Sequence, residues 1–400
     1  MVASSADKKS LLVILSTFLF VVVGTVLIIF LARGYRFDFK NGTGLQSTGL
    51  LSATSIPKSA SVYLNDRLVT ATDDTLNLSP DNYSVKIVKD GYLPWQKNIQ
   101  IKKEVVFQTD TILFRSSPDL KPITLSGAVN PAITSDDTKI IYAVASASAS
   151  KDNGLYVIDL NSSPLPLYRS LPRQLAPDFP GVDWSKFTFT SSPDSKSFIA
   201  NSKTTSLLIS FDSPITAQSL FDITPKLSSI KEDWSKQLSQ IIELKLSRLS
   251  DTLKNSVSTE SSKFIQFSSD DSKLLYLAKA AFLLPQSLVS PPPAQSTQFQ
   301  TRSLEKNNWY VYDLKDDTNF LIGSQSQLQN PLWLPNTNHL IFIENGQVKV
   351  IDYDSTNKNT VFAGTFDQSL VNPSSDGIRI ITLTSAYLGA PENLYSITIR

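Results

Sequence analysis

Ser269-Asp270-Asp271-Ser272-Lys273, followed by Leu274-Leu275-Tyr276-Leu277-Ala278, is a polar turn feeding a short apolar run. Asp and Ser bond the backbone two residues on and so favour tight turns. A short apolar run bounded by such signals reads as a buried strand. The same grammar returns along the chain. Ser135-Asp136-Asp137-Thr138-Lys139 precedes IIYAVA, and Ser192-Pro193-Asp194-Ser195-Lys196 precedes SFIANS. Leu334-Pro335-Asn336-Thr337-Asn338 precedes LIFIE, and Ser374-Ser375-Asp376-Gly377 precedes IRIITL. Each run is followed by another: LYVIDL, SLLISFD, WYVYDL, VKVIDYD and LYSITIR. About five copies of one β unit therefore run from about residue 121 to the end. Such a unit exposes two β faces and cannot bury both alone, so the copies are expected to stack around an axis.

The turns resemble those of TolB-type and WD40-like β-propellers, which read SPDG followed by a basic residue. Ser192-Pro193-Asp194 and Asp376-Gly377 come nearest to that wording. The resemblance implies a mainly β propeller over residues 116–400 and attaches no function to it. Blades normally hold four strands. The fifth copy supplies strands near 369–371, 378–384 and 394–399, and is one short. Lys121-Pro122-Ile123-Thr124-Leu125 is a strand without a hairpin partner. Residues 121–125 are therefore predicted to pair beside the C-terminal strand and complete the last blade.

Two insertions interrupt the copies. Residues 225–257 place Ile230, Trp234, Leu238, Ile241 and Leu249 near one face at helical spacing, which predicts an amphipathic helix lying on the propeller. Residues 284–302 are rich in Pro, Ser and Gln and carry Pro291-Pro292-Pro293, which predicts an exposed loop with no core of its own.

Upstream, residues 56–115 show short antiparallel strands. Val62 and Leu64 alternate with Tyr63 and Asn65; Tyr83, Val85 and Ile87 alternate with Ser84 and Lys86; Ile99 and Ile101 repeat the pattern. Asn65-Asp66, Pro80-Asp81-Asn82 and Asp90-Gly91 mark the turns. With Pro57, Ala60, Leu76, Leu78, Tyr92 and Trp95, this segment resembles a PEGA domain, a small β-sandwich of bacterial and archaeal surface proteins. The naming tetrapeptide appears as Pro80-Asp81-Asn82 before Tyr83. Asn stands where Gly is usual, and it tolerates positive φ. Thr72-Asp73 replaces the usual Thr-Pro. The resemblance implies a non-enzymatic, extracytoplasmic module. Tyr92 and Trp95 are expected to plug the sandwich core.

Leu11 to Ala32 reads LLVILSTFLFVVVGTVLIIFLA, without a charge. At about 1.5 Å per residue it reaches roughly 33 Å, enough to cross a hydrocarbon core of about 30 Å. Leu11, Phe20, Gly24 and Leu31 are placed within the bilayer. Ser16, Thr17 and Thr25 can return their hydroxyls to the helix backbone. A cleaved signal would have a shorter apolar run and a small-residue cleavage site, so an uncleaved anchor is expected. Residues 1–10 are then a short tail, and Gly-, Ser- and Thr-rich residues 33–55 a linker. Lys8 and Lys9 on one side balance Arg33, Arg36 and Lys40 on the other, so charge barely orients the helix. The surface-type domains favour the tail inside and the bulk outside. The whole arrangement resembles PEGA-plus-propeller membrane proteins of bacteria.

The chemistry is sparse. Lys plus Arg number 37 against 36 Asp plus Glu, so no basic field draws nucleic acid. No Cys is present and His occurs once, at His339. That removes thiolate nucleophiles, Cys-rich zinc sites and two-His zinc motifs within the chain. The Asp pairs Asp73-Asp74, Asp136-Asp137, Asp270-Asp271 and Asp316-Asp317 could bind calcium, but are better read as turn residues. His339 lacks a G-x-S-x-G partner motif and is expected at the surface or satisfied. Trp309 and Trp333 fall inside strand patterns and are expected in the core. No catalytic, metal or cofactor residue is assigned. The expected role is a membrane-anchored binding or scaffold protein for an envelope protein or glycan. The alternative is a propeller hydrolase or glycosidase with acidic residues at its central mouth.

Overall fold

The computed structural model describes residues 5–32, 35–38, 44–160, 172–257, 265–286, 296–385 and 389–400. Tail residues 1–4, linker residues 33–34 and 39–43, and Pro291-Pro292-Pro293 lie outside the described residues.

Helix α1 spans Ser5–Ala32, so residues 5–10 of the expected tail are helical. Its segment Leu12–Leu31 has a mean hydropathy of 2.9, and none of it is buried by the rest of the chain. That length and composition suit a membrane span or a signal sequence. Leu11, Phe20, Gly24 and Leu31 all fall within α1. Ser16 and Thr17 donate their hydroxyls to the Val13 carbonyl at 2.9 and 2.8 Å, and Thr25 to Val21 at 2.8 Å, as expected.

The chain divides into two compact units. The first carries the small β domain. One sheet orders Arg67–Ala71, Ser61–Leu64, Asn82–Val88 and Trp95–Gln100. A second sets Gly49–Ala53 between Val106–Gln108, parallel, and Asp74–Leu78, antiparallel. Leu51, Ala53, Val62, Val85, Ile87, Trp95 and Ile99 form the core. Residues 48–53 were expected to be linker. Gly49–Ala53 is instead the central strand of the second sheet, with Leu51 and Ala53 pointing inward on alternate positions. Tyr35–Asp38 and Gly44–Ser47, also in the expected linker, form a hairpin. Gly, Ser and Thr hide this period of two, and the ladder partners are remote in sequence.

Asn65 and Asp66 both take the left-handed conformation a two-residue hairpin turn requires. Asn82 does not; it opens the strand Asn82–Val88, with the Asp81 carboxylate accepting its N–H at 2.7 Å. Trp95 is buried as expected, whereas Tyr92 is half-buried and groups with the second unit.

In the second unit, five four-stranded antiparallel sheets follow one another. Blade 1 is Val129–Ile133, Lys139–Val144, Gly154–Asp159 and Arg173–Pro177. Blade 2 is Thr188–Ser191, Ser197–Asn201, Ser206–Ser210 and Phe221–Asp222. Blade 3 is Ile265–Phe267, Lys273–Leu277, Asn308–Asp313 and Thr318–Ser324. Blade 4 is Gln329–Trp333, His339–Glu344, Gln347–Asp352 and Asn359–Ala363. Blade 5 takes Val371–Pro373, Arg379–Thr384 and Asn393–Thr398, and its outer strand is Asp119–Pro122.

The non-local closure is therefore present. Leu120 pairs with Ile397 and Pro122 with Tyr395; the strand starts two residues before the predicted one and ends at Pro122. Thr124 continues the seam by accepting the Leu394 N–H at 2.9 Å. This is a β-propeller of five blades.

Successive side chains of a strand point to opposite faces, so each blade can serve two interfaces. Ile141, Ala143 and Leu155 of blade 1 pack with Phe189, Phe198 and Leu207 of blade 2 around fully buried Trp184. Leu275, Val311 and Phe320 of blade 3 pack with Leu340, Phe342 and Ile351 of blade 4. Ile381, Leu383 and Leu394 of blade 5 meet Ile140, Tyr142 and Ile158 of blade 1.

The other face of blade 3 is different. Leu274, Tyr276, Tyr310 and Tyr312 pack against both insertions. The first insertion is two helices, α2 (Leu227–Leu246) and α3 (Asp251–Val257). Its packed residues are Ile242, Leu246, Leu249, Leu253 and Val257. The predicted single helix breaks after Leu246, and Ser250 Oγ accepts the Leu253 N–H as α3 starts. Leu238 and Ile241 of the predicted face stay 43% and 48% exposed. Two stripes at helical spacing coexist on this segment, and only tertiary contact selects one.

The second insertion is not a coreless loop where it is described. Phe282–Leu283 pairs with Ser303–Leu304, and Leu284 and Leu304 are buried beside α3.

Candidate functional site

The turns between the first and second strands of the blades share one construction. In blade 1, Thr134 Oγ1 donates to Asp136 Oδ1 at 2.7 Å and accepts the Lys139 N–H at 2.9 Å. Ser192 with Asp194, Ser268 with Asp270, and Ser374 with Asp376 repeat it. The residue after the acceptor is left-handed in four blades, at Asp137, Ser195, Asp271 and Gly377, whereas in blade 4 the left-handed residue is Asn336, at the acceptor position itself. The first Asp of a pair is thus a turn acceptor, and the second holds the αL position that Gly, Asn and Asp occupy most readily.

Electrostatics agree. Burial pushes Asp136, Asp270 and Asp376 up, but hydroxyl and backbone donors outweigh it and hold them below the usual carboxylate range. Asp194 is lowered chiefly by the Ser192 hydroxyl. Burial instead raises Asp137.

The other pairs are committed too. Asp73 bonds Lys58 at 3.1 Å, and Asp74 accepts the Thr75 N–H at 2.8 Å. Asp317 pairs with Arg302 at 2.8 Å and accepts the Tyr312 hydroxyl. Among the described residues no group of three or more His, Asp or Glu converges.

His339 opens the second strand of blade 4, and its Nε2 lies 3.1 Å from Asp352 Oδ1, both side chains being buried. The corresponding place in blade 3 holds Lys273, 3.1 Å from Asp313. The two are variants of one structural device, a nitrogen-bearing side chain at the strand start facing an Asp at the end of the third strand. Trp309 and Trp333 are core residues, as expected.

The concave surface lies at the ends of the innermost strands. Two cavities meet at Ser369, which lines both. One, of about 510 Å³, is lined by Asn130, Thr188, Phe189, Asp367 and Glu392 among others. The second, of about 620 Å³, is lined by Gln266, Gln325, Gln329, Asn330 and Asn372, with Trp309, Leu328 and Leu332 as apolar wall.

Asn130 and Asn330 are equivalent. Each stands six residues before the turn position filled by Asp136 or Asn336, each precedes Pro, and each is left-handed in a strand irregularity. The Asn130 amide donates to the Ser185 and Phe187 carbonyls, both at 3.0 Å. Asn330 makes no such bond among the described residues and is exposed. The repeated Asn-Pro was the sequence signal for this bowl; Gln325, Gln329, Asp367 and Glu392 carry no signal of their own.

Comparison with known proteins identifies one part. Residues 48–116 form a PEGA domain. The PEGA domain thus begins eight residues before the expected boundary at 56, at Thr48, just before the strand Gly49–Ala53. No curated protein matches the chain. Among solved structures, a putative TolB from Agrobacterium tumefaciens is similar at 13% identity and a TM-score of 0.22, over 88% of this chain and 99% of that one. An oligogalacturonate lyase in complex with manganese is similar at 13% and 0.23, over 72% and 71%. The RRP9 WD40 repeats are similar at 11% and 0.27, over 70% and 98%. At such values no activity or ligand passes to this chain, and the propeller assignment rests on its five sheets.

Proposed function

We propose that α1 is an uncleaved single-pass anchor and that the propeller is a binding module outside the cytoplasm, facing a protein or glycan of the cell envelope. The observation that carries the binding reading is the bowl at the inner-strand ends. Its Gln325, Gln329 and Asn330 amides make no hydrogen bond among the described residues, while those of Asn130, Gln266 and Asn372 and the side chains of the turns are spent on the fold. A concave site with an apolar wall and a few convergent polar groups is the usual form of a binding site. An anchor is supported by an apolar helix that finds no cover within the chain. The outside placement is supported by the surface character of PEGA domains.

Protease added to intact cells should digest a C-terminal tag. Protection until lysis would reverse the orientation. Full-length protein in mild detergent, cross-linked in native envelope, should retain a partner that substitution within the bowl releases. Retention of none would remove the binding reading.

One observation favours a second reading. Asp367 and Glu392 line the smaller cavity beside Phe189, and two carboxylates can suffice for glycoside hydrolysis. Asp367 is partly engaged, accepting the Ser369 N–H at 2.8 Å and hydroxyl at 2.7 Å. Reducing-end release from envelope glycans, abolished by Glu392→Gln, would establish it.

A further inference from the structure

The larger cavity shows what kind of ligand it suits. No lining side chain is ionisable. Gln325, Gln329 and Asn330 are exposed, and their amides make no hydrogen bond among the described residues. A primary amide offers two donors and a carbonyl acceptor at one point. Three of them around one bowl match a neutral ligand whose groups both donate and accept. Hydroxyls do so, and so do peptide groups.

The backbone separates these two. An extended peptide is best captured by adding a strand to a free edge. The inner strands of blades 1, 4 and 5 carry Pro131, Pro331 and Pro373, which lack the N–H such an edge needs. Register also breaks at Val129/Ala132 and at Gln329/Leu332. The edges of blades 4 and 5 at this cavity are thus built against strand addition, and the inner strand of blade 3 that also lines it, Ile265–Phe267, offers only three residues. Recognition therefore falls to side-chain amides, with Leu328, Leu332 and Trp309 as wall.

We infer that the cavity between Gln325, Gln329 and Asn330 binds a neutral, hydroxyl-rich glycan chain, with the amides bridging its hydroxyls. The inference rests on the propeller being a binding module and adds the class of its ligand.

The probe is an array of neutral and acidic glycans beside an array of peptides, incubated with full-length protein in detergent. Neutral glycans should be retained. Affinity should fall about tenfold or more in a Gln329→Ala/Asn330→Gly chain, in which Gly keeps the left-handed backbone. Asn330→Asp should weaken binding similarly while keeping shape, which guards against a folding artefact. Binding should also hold between low and about 0.5 M salt, since no charge is paired. Retention of peptides or acidic glycans alone, indifference to these substitutions, or loss in salt would overturn the inference. If neutral glycans are not retained while cross-linking captures an envelope partner that a substitution in the smaller cavity releases, the binding reading survives and this one falls.

Discussion

The propeller is closed at two unlike seams. One lies inside blade 5, where Asp119–Pro122 forms a ladder with the C-terminal strand. The Arg115 N–H adds a bond to Ile399 at 2.8 Å, and its guanidinium one to Arg400 O at 3.0 Å. The other faces blade 3 on the side that, in ring order, turns toward blade 2. There the turn-to-turn hydrogen bonds that tie neighbouring blades fail. Asp136 N–H reaches Ser195 Oγ across blades 1 and 2, and Asn336 N–H reaches Ser269 Oγ across blades 4 and 3, both at 3.0 Å. Asn336 Nδ2 reaches Ser375 O across blades 4 and 5. Among the described residues no such bond joins the turns of blades 2 and 3. The insertions cover that face of blade 3 instead. One seam is backbone pairing; the other is side-chain burial. The first is directional and all-or-none, the second graded and tolerant.

The largest test cuts the first seam. Removing residues 393–400 leaves blade 5 without its third strand and Asp119–Pro122 without a partner. Cooperative folding of the whole second unit should be lost, since the damage rivals a total stability of about 5–15 kcal/mol. Limited proteolysis should then degrade all five blades together. Survival of blades 1–4 as a protected fragment would mean that the termini decorate the ring rather than close it.

The next test loosens the second seam. Leu253 of α3 is 1% exposed among Leu246, Leu284 and Leu304. Leu253→Ala should cost about 3 kcal/mol, through lost burial and the cavity left behind. Hydrogen exchange should quicken first in α3 and at the face of blade 3 that it covers, with blades 1 and 5 unchanged. Uniform quickening would show that both seams belong to one cooperative unit.

The two seams also differ in how far the sequence showed them. Closure followed from counting strands: a fifth copy one strand short, and an unpaired strand upstream. Its length erred because the pairing register is set by residues 270 positions apart, as in the contact of Thr124 with Leu394. The insertions were seen as segments, but their role was hidden. Of the predicted face Leu249 packs, but helical spacing fits Ile230, Trp234, Leu238 and Ile241 as well as the other residues that pack, and nothing local says which stripe finds blade 3. The linker reading failed for a related reason. Gly49–Ala53 is central only because of strands some 25 and 55 residues away. The turns were legible because their chemistry is local. The bowl was not, because it is assembled from ends of strands that share no motif beyond Asn-Pro.

The turn carboxylates distinguish the seams by pH. Asp270 is held below the usual carboxylate range in the fold, so its stabilisation is fully present above an unfolded pKa of about 3.9 and fades as pH falls through the lower folded value. Asp270→Asn should therefore cost on the order of 1 kcal/mol at neutral pH, and the gap to the parent should close only well below pH 4. Denaturation midpoints measured from pH 6 down to pH 2 will show it. A constant gap across that range would mean that the carboxylate acts through shape and not charge. Calcium and chelator should leave the parent midpoint alike, because a ligand of the native state alone would raise it.

The smallest effect is expected where the second seam looks most electrostatic. Lys245 of α2 bonds Asp271 Oδ1 at 2.8 Å, and Arg248 lies 3.7 Å from the other oxygen. These contacts are the visible link between the helices and the blade 3 turn, yet Lys245 and Asp271 are each 42% exposed. Water and salt screen such a pair, and holding a long side chain in place costs entropy, so exposed pairs contribute from about 0 to 1 kcal/mol. Lys245 also lies 5.3 Å from the Phe267 ring centre, so its stem covers apolar surface that alanine would leave bare. Lys245→Met keeps that cover and removes only the charge. Its midpoint should match the parent within a few tenths of a kcal/mol, and neither should respond to added salt at this seam. Should Lys245→Met approach the loss from Leu253→Ala, the ion pair rather than apolar burial would be what holds α2 and α3 against blade 3.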